Sequence, residues 1–401
     1  MRLLISLLIV LTGPVTHAQQ YKVGDKVTAV AEIALLVDGK EADSTFPGLI
    51  LIIAEVKGDL IQVNVKAANL DIPTHGWLPL KNVIPLDQAA AHFTKAIDKE
   101  PDNPVWHCAR ATLLRETGEL DAAIAGYTQA LRLDPKSSRL YFNRGIARRF
   151  KHDLDGAIAD YSESLRLDPT NDHAYSNRGV ARCRKQDYDG AMADFNEAIR
   201  LNPKCAWTYS NRGDARRYVK DYDGAMIDFN EAIRLDPTIA VAYFNRSNVR
   251  RDKHDNEGAT KDLNEAIRLD PTFGMSYYSR GQVRWTKNDY EGAINDFERS
   301  IRFDPQHANG YWELGWLLAS CPDTKHRNRA MAVDNLKKAV SILGEKNEVL
   351  LAQLAFACAQ NRNLDEAIEW QAKALELAPE KDKAQYRTTL ELYKKSYRYA
   401  E

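Results

Sequence analysis

A proline recurs every 34 residues through the middle of this chain, at Pro101, Pro135, Pro169, Pro203, Pro237, Pro271 and Pro305. From Pro135 onward each closes the same short run: an aliphatic residue, Arg, Leu or Phe, Asp or Asn, then Pro, as in Leu165-Arg166-Leu167-Asp168-Pro169. A fixed period without slippage argues against one large core and for a stack of like supersecondary units, each contacting only its neighbours. The length of 401 residues would otherwise suggest two or three globular domains.

Aligning the units by their prolines exposes a second layer of regularity. Tyr175, Arg178-Gly179, Tyr188, Ala191, Phe195, Ala198 and Pro203 in one unit correspond to Tyr209, Arg212-Gly213, Tyr222, Ala225, Phe229, Ala232 and Pro237 in the next. Tyr277, Arg280-Gly281, Tyr290, Ala293, Phe297, Ser300 and Pro305 repeat it again. Each unit holds two amphipathic stretches joined by a polar turn such as Gln186-Asp187-Tyr188-Asp189. Gly179 and Ala191 are expected where the two helices cross, with Tyr175 and Phe195 filling the space beside them. Asp187 is expected to cap the second helix and Asp189 to place negative charge in its first turn. Pro203 ends it, because the residue before a proline is pushed out of the helical region.

These offsets resemble the tetratricopeptide repeat over residues 104–380. One departure from that family is the Arg at 144, 178, 212, 246 and 280, where the family usually has Leu. Asp160, Asp194, Asp228, Asp262 and Asp296 recur at the same interval, and repeated Arg–Asp pairs are expected from the two series. Six regular units run from 104 to 307. The seventh resumes its second helix about five residues late, which predicts an extended loop at 321–329. The eighth runs from Glu348 to Pro379. Residues 381–401 are expected to form a capping helix with Tyr386, Leu390, Tyr393 and Tyr397 on its buried stripe.

The N-terminal part has another texture. Arg2, the apolar run Leu3 to Leu11, and the small residues before Gln19 read as a signal peptide over 1–18, too short to span a membrane. Residues 19–86 read as five short strands, with a hairpin around Lys57-Gly58-Asp59. The Gly76-Trp77 step ahead of Asn82-Val83-Ile84 resembles the closing strands of bacterial SH3-like domains, which implies a small barrel that often binds peptides or cell-wall material. Residues 87–103 form half a repeat, so the barrel is expected to cap the array where a first helix is missing. The expected fold is therefore mainly α: a right-handed α-solenoid of eight tetratricopeptide helix pairs, preceded by a small all-β SH3-like barrel.

The chemistry of the chain is bounded by what it lacks. No Gly-rich phosphate loop, Gly-x-Ser-x-Gly or His-Glu-x-x-His occurs, so no catalytic, metal or cofactor-binding residue is assigned. With 55 basic and 56 acidic residues there is no drive toward nucleic acid or anionic lipid. Cys108, Cys183, Cys205, Cys321 and Cys358 are widely spaced, without Cys-x-x-Cys, and read as free thiols. The resemblance implies a concave groove lined by the first helices. Counting from each aligned Tyr, it would take Arg139, Phe142, Arg149 and Phe150, then Arg184, Trp207, Arg217 and Tyr218. Phe244, Arg251, Tyr278, Trp285, Trp312 and Trp316 continue the series. Arg alternating with aromatics suits a peptide bearing acidic and apolar side chains. Packing against the next unit is the competing role for each residue. One variant of the family clamps a C-terminal carboxylate with Lys and Asn. Asn143, Asn177, Asn211 and Asn245 match its Asn, but Phe142, Ser176 and Phe244 stand at its Lys positions. The function expected is a non-enzymatic scaffold for a protein or peptide, exported to the periplasm or beyond. The alternatives are anchoring to cell-wall peptide through the barrel, and an accessory subunit of a secreted enzyme assembly.

Overall fold

The computed structural model describes residues 26–29, 33–37, 40–45, 50–57, 60–65, 75–79 and 83–398. The signal-like residues 1–18 lie outside that set. The chain falls into two compact units, one ending at Val219 and one beginning at Lys220.

The first unit opens with strands β1 (Lys26–Ala29), β2 (Ile33–Val37), β3 (Lys40–Thr45), β4 (Ile50–Lys57), β5 (Leu60–Val65), β6 (His75–Pro79) and β7 (Val83–Pro85). They form one antiparallel sheet in the order β3-β2-β6-β5-β4-β1-β7. Five strands were expected from the sequence, and β2 and β3 are additional. Their register pairs Val37 with Lys40, and the two residues between are Asp38-Gly39, a strong hairpin signature. Neither strand alternates cleanly, which hides the pair from a period-two reading. β7 runs directly into α1 (Leu86–Lys99). Ile84 and Leu86 pack with Ala89, Phe93, Ala109 and Leu113, so the edge of the sheet shares a core with the first two helices.

That unit continues as α2 (Pro104–Glu116), α3 (Leu120–Leu133), α4 (Ser138–Phe150), α5 (Leu154–Leu167), α6 (Asp172–Arg184), α7 (Tyr188–Leu201) and α8 (Ala206–Tyr218). The second unit holds α9 (Tyr222–Leu235), α10 (Ala240–Asp252), α11 (Asn256–Leu269), α12 (Gly274–Thr286), α13 (Tyr290–Phe303) and α14 (Ala308–Ser320). It ends with α15 (Arg329–Leu343), α16 (Glu348–Gln360), α17 (Leu364–Leu377) and α18 (Lys383–Arg398). The chain is mainly helical.

The Leu-Asp-Pro signature acts through its aspartate as well as its proline. Asp168 sits at φ −138°, ψ 91°, the extended region to which a following proline confines it. Its carboxylate then accepts from the Thr170 amide at 3.0 Å, and Asn202 and Asp270 do the same for Lys204 and Thr272. This Asx turn redirects the chain into the next first helix. The turn inside each pair uses a left-handed residue: Gly118, His152 and Gln186 in the first unit, His254 and Asn288 in the second, all at positive φ. The Asp187 amide bonds back to the Arg182 carbonyl, closing a Schellman-type cap. The Asp187 carboxylate accepts from Gly190 at 3.0 Å and caps the second helix.

Packing follows the repeat code. Tyr127, Tyr161 and Phe195 in the first unit, and Phe229 and Phe297 in the second, are fully buried. Gly179 lets the crossing close, since a Cβ there would stand 2.7 Å from the Phe195 ring. The Arg series answers the Asp series within each pair. Arg178 Nη2 lies 2.7 Å from Asp194 Oδ1, and Arg182 Nη1 2.8 Å from Asp194 Oδ2. The same geometry recurs for Arg144 and Arg148 on Asp160, Arg246 and Arg250 on Asp262, and Arg280 and Arg284 on Asp296. Each first Arg also reaches back to the preceding second helix: Arg144 donates to Thr128, Arg178 to Ser162, Arg246 to Asn230 and Arg280 to Asn264. Leucine, usual at this position in the family, could make neither contact.

Between α14 and α15 the chain inserts a short 3-10 turn, Thr324–His326, and α15 starts five residues later than the α12–α13 spacing would place it. Arg327 donates to the Cys321 carbonyl and the Asn328 amide to that of Leu318, which tie the loop down. On α18, Leu390 is buried, while Tyr386 and Tyr393 pack on the core of the second unit. The side chain of Tyr397 is outside the described set. All five cysteines are free thiols, Cys183 half-buried and the others buried. No helix among the described residues is long and apolar enough to cross a membrane.

Candidate functional site

In the first unit, the first helices α4, α6 and α8 bring side chains from neighbouring pairs around a cleft of about 320 Å³. Arg149, Phe150, His173, Ser176, Asn177, Val180, Arg184, Cys205, Trp207 and Asn211 line it. Among the described residues, the charged heads here are basic and no carboxylate lines the cleft. Arg149 is only 5% exposed, stacks on the Phe150 ring at 4.7 Å, and has a buried Nε without a hydrogen-bond partner. No ion pair holds it among the described residues. Burial pushes the nearby Tyr161 phenol up to about 12 against the opposing pull of the Arg149 guanidinium. Phe150 and Trp207 are exposed, at 46% and 37%. The Asn177 side chain donates to the His173 carbonyl at 2.9 Å, which fixes it in the wall.

Of the groove positions read from the sequence, Arg149, Phe150, Arg184 and Trp207 converge on this cleft. Phe142 does not. It is 7% exposed and packs on Tyr161 at 5.9 Å, inside the helix pair, because Ile146 and Leu165 close around it. Arg139 stands beside the buried Cys108 thiol, where it opposes the rise that burial imposes. Arg217 faces Asp214, whose carboxyl burial raises above its usual range. Tyr218 is exposed and stacks on Tyr188 at 5.9 Å. The sequence reading treated Asn177 and Asn211 only as a family clamp match. Their 34-residue column was the signal that both face the same surface as Arg184 and Trp207.

In the second unit the corresponding residues bind one another. Arg251 Nη2 donates to Gln282 at 2.8 Å, and Gln282 Nε2 donates to the Tyr278 hydroxyl at 2.9 Å and to Glu313 at 3.3 Å. Burial raises the Glu313 carboxyl, and burial with Glu313 pushes the Tyr278 phenol up to about 12. Trp312 Nε1 donates to Gln353 at 2.5 Å. Phe244 meets Phe273 edge-on at 5.0 Å, and Trp285 meets Phe297 at 6.2 Å, so these rings brace helix packing. Trp316 contacts Phe356 at 5.6 Å beside an open cleft. Glu313, Gln282 and Gln353 were missed by the sequence reading, because their partners lie on successive first helices and no single-helix pattern displays them. No group of three His, Cys, Asp or Glu able to hold a metal occurs among the described residues.

Comparison with known proteins agrees with the helix pairs. Family models described as TPR repeat or tetratricopeptide repeat match residues 111–148, 173–205, 208–239, 276–307 and 350–381. No curated protein matches the chain. Among solved structures, the Cut9-Hcn1 hetero-tetramer of the APC/C aligns with TM-score 0.55 at 16% identity, over 68% of this chain and 52% of that one. A tetratricopeptide repeat protein from Parabacteroides merdae aligns with TM-score 0.49 at 20% identity, over 67% and 99%. YrrB, described as a TPR protein with an unusual peptide-binding site, is 25% identical over 45% of this chain and 94% of its own, with TM-score 0.37. Repeats of this kind generally serve as protein-interaction scaffolds. The family models, placed on the helix pairs described above, show that this chain carries tetratricopeptide repeats.

Proposed function

We propose that the chain is a non-enzymatic scaffold whose first helices bind a segment of another protein, and that the cleft at Arg149 takes a carboxylate of that segment beside an apolar side chain. The observation that carries this reading is the buried Arg149, without an ion-pair partner among the described residues, in a cleft whose other basic wall residues are His173 and Arg184. A buried cation is costly unless paired, and a bound carboxylate would supply the missing charge through a forked hydrogen bond. The exposed rings of Phe150 and Trp207 offer apolar area beside it.

The test is fluorescence-polarisation titration of the full chain with a labelled peptide of alternating Asp and Leu. Binding should weaken at least tenfold in Arg184→Glu and in Trp207→Ala, and should fall with salt. Equal affinity for the Asn-for-Asp peptide would sink the reading.

We further propose export, supported by the signal-like residues 1–18, and an SH3-like sheet domain over 19–86 that faces cell-wall peptide. Cosedimentation of the full chain with purified cell wall, lost on deletion of 19–86, is the expected result. Cosedimentation that survives the deletion would refute the anchoring role and leave the scaffold, or an accessory subunit of a secreted assembly.

A further inference from the structure

The second unit carries a cleft of opposite chemistry, about 340 Å³ in volume, between α16 and α18. Its walls include Trp316 of α14, Phe356 of α16, and Tyr386 and Tyr393 of α18. Among the described residues, its charged lining consists of two carboxylates, Glu348 and Asp382. Neither is held in an ion pair among the described residues, whereas Lys337, Lys373 and Lys383 nearby all pair with other acids. Each carboxylate stands at a helix N-terminus, Glu348 opening α16 and Asp382 just ahead of α18. The helix dipole accounts for an acid at either position. It does not account for both turning toward one aromatic hollow that no cation lines.

We propose that this cleft takes the side chain of a lysine or arginine from a bound protein segment. The aromatic faces would hold the alkyl stem and attract the cationic head, and Glu348 and Asp382 would pair with it. Burial, and then Glu348 on the facing helix and Asp382 one turn ahead on the same side, raise the Tyr386 phenol. A segment is favoured over a free amine by continuity. Val349, Ala352 and Phe356 stand two before, one after and five after Leu351, the positions counted for the groove on earlier first helices. All three line the cleft, and Val349 is 43% exposed. The inference rests on the first-helix face being a binding surface, but on residues separate from the Arg149 cleft.

The experiment is calorimetric titration of the full chain with the capped peptide Ala-Leu-Lys-Leu-Lys-Ala, its Nε-acetyl-lysine counterpart and tetramethylammonium. The lysine peptide should bind at least tenfold more tightly than the acetylated one. Glu348→Gln combined with Asp382→Asn should lose at least tenfold in affinity for the lysine peptide, with the thermal midpoint checked to show that the fold is kept. Glu197→Gln, which removes a carboxylate lining neither cleft, should leave that affinity unchanged, and a loss there equal to that of the double variant would overturn the assignment to this cleft. Failure of the lysine peptide to bind, equal binding of the acetylated peptide, or unchanged affinity in the double variant would each overturn the proposal. Tetramethylammonium binding as tightly as the peptide would overturn the assignment to a protein segment.

Discussion

Asp194→Asn is the sharpest test of how the helix pairs are held. The Asp194 side chain is 3% exposed and receives Arg178 at 2.7 Å and Arg182 at 2.8 Å. At an effective dielectric near 20, with the delocalised charge centres about 4 Å apart, each pair is worth roughly 4 kcal/mol before desolvation is charged against it. Removing the shared anion leaves two guanidiniums facing a neutral amide. Their side chains are 16% and 24% exposed, so water recovers part of the loss. A net cost of about 3 kcal/mol follows, at the low end for breaking a buried pair. Urea unfolding followed by circular dichroism measures it, with hydrogen exchange on α6 and α7 to locate the loss. The control is Glu197→Gln. Glu197 pairs with Arg200 at 2.6 Å, but that Arg side chain is 66% exposed, so the urea midpoint should stay where it was. Replacing Arg178, Arg182 and Asp194 together with Leu should regain most of what Asp194→Asn loses, because no charge is then stranded. Equal midpoints for Asp194→Asn and Glu197→Gln would refute the argument that burial, not distance, sets the value of these pairs.

Gly179→Ala should cost about 1–3 kcal/mol, read by thermal melting, because its Cβ would stand 2.7 Å from the Phe195 ring. Gln186→Gly should stabilise by about 0.5–1 kcal/mol in the same assay, since Gln186 sits at φ 64°, where glycine avoids a steric penalty larger than its entropy cost. Glu313→Gln should raise the urea midpoint at pH 7. Burial raises the Glu313 carboxyl in the folded state, so its stabilising contribution is present below the unfolded pKa of about 4.3 and is lost as pH rises through the folded value. The advantage of the Gln variant should therefore vanish when the midpoints are compared below about pH 4, and an advantage that persists there would contradict this account.

The helical fold was legible because its determinants are local and repeated. Pro169, Asp187, Gly179 and Phe195 each declare a turn, a cap, a crossing and a core position, and the 34-residue period multiplies the signal. The Arg–Asp pairing was also legible, since two residue series at one interval must meet if their helices do. Two features were not. The reach of Arg178 back to Ser162 joins residues in different repeats, and the polar partner varies among Thr, Ser and Asn, so no column flags it. The strands β2 and β3 were overlooked because Lys40-Glu41-Ala42-Asp43 lacks the alternation that marks a half-buried strand. At the candidate site, the sequence named Arg149, Phe150, Arg184 and Trp207, but could not separate them from Phe142. That separation depends on which way a ring turns within the helix pair. The acidic hollow at Glu348 and Asp382 was invisible for a similar reason, since α18 belongs to no complete repeat.

The backward reach of the arginines also governs how such a chain can change length. Arg144 holds Thr128, Arg178 holds Ser162, and Arg212 holds Asn196, each across sixteen positions in the sequence. The receiving group need only be a hydroxyl or an amide oxygen. A whole unit copied or excised within the array would therefore present an acceptable neighbour at both new junctions. A shift of any other length along one of these helices would turn the arginine away from its acceptor. The protein is in this sense built to lengthen or shorten in steps of one repeat where the arginine column runs, and its five-residue insertion between α14 and α15 falls in the repeat where Leu314 stands in that column.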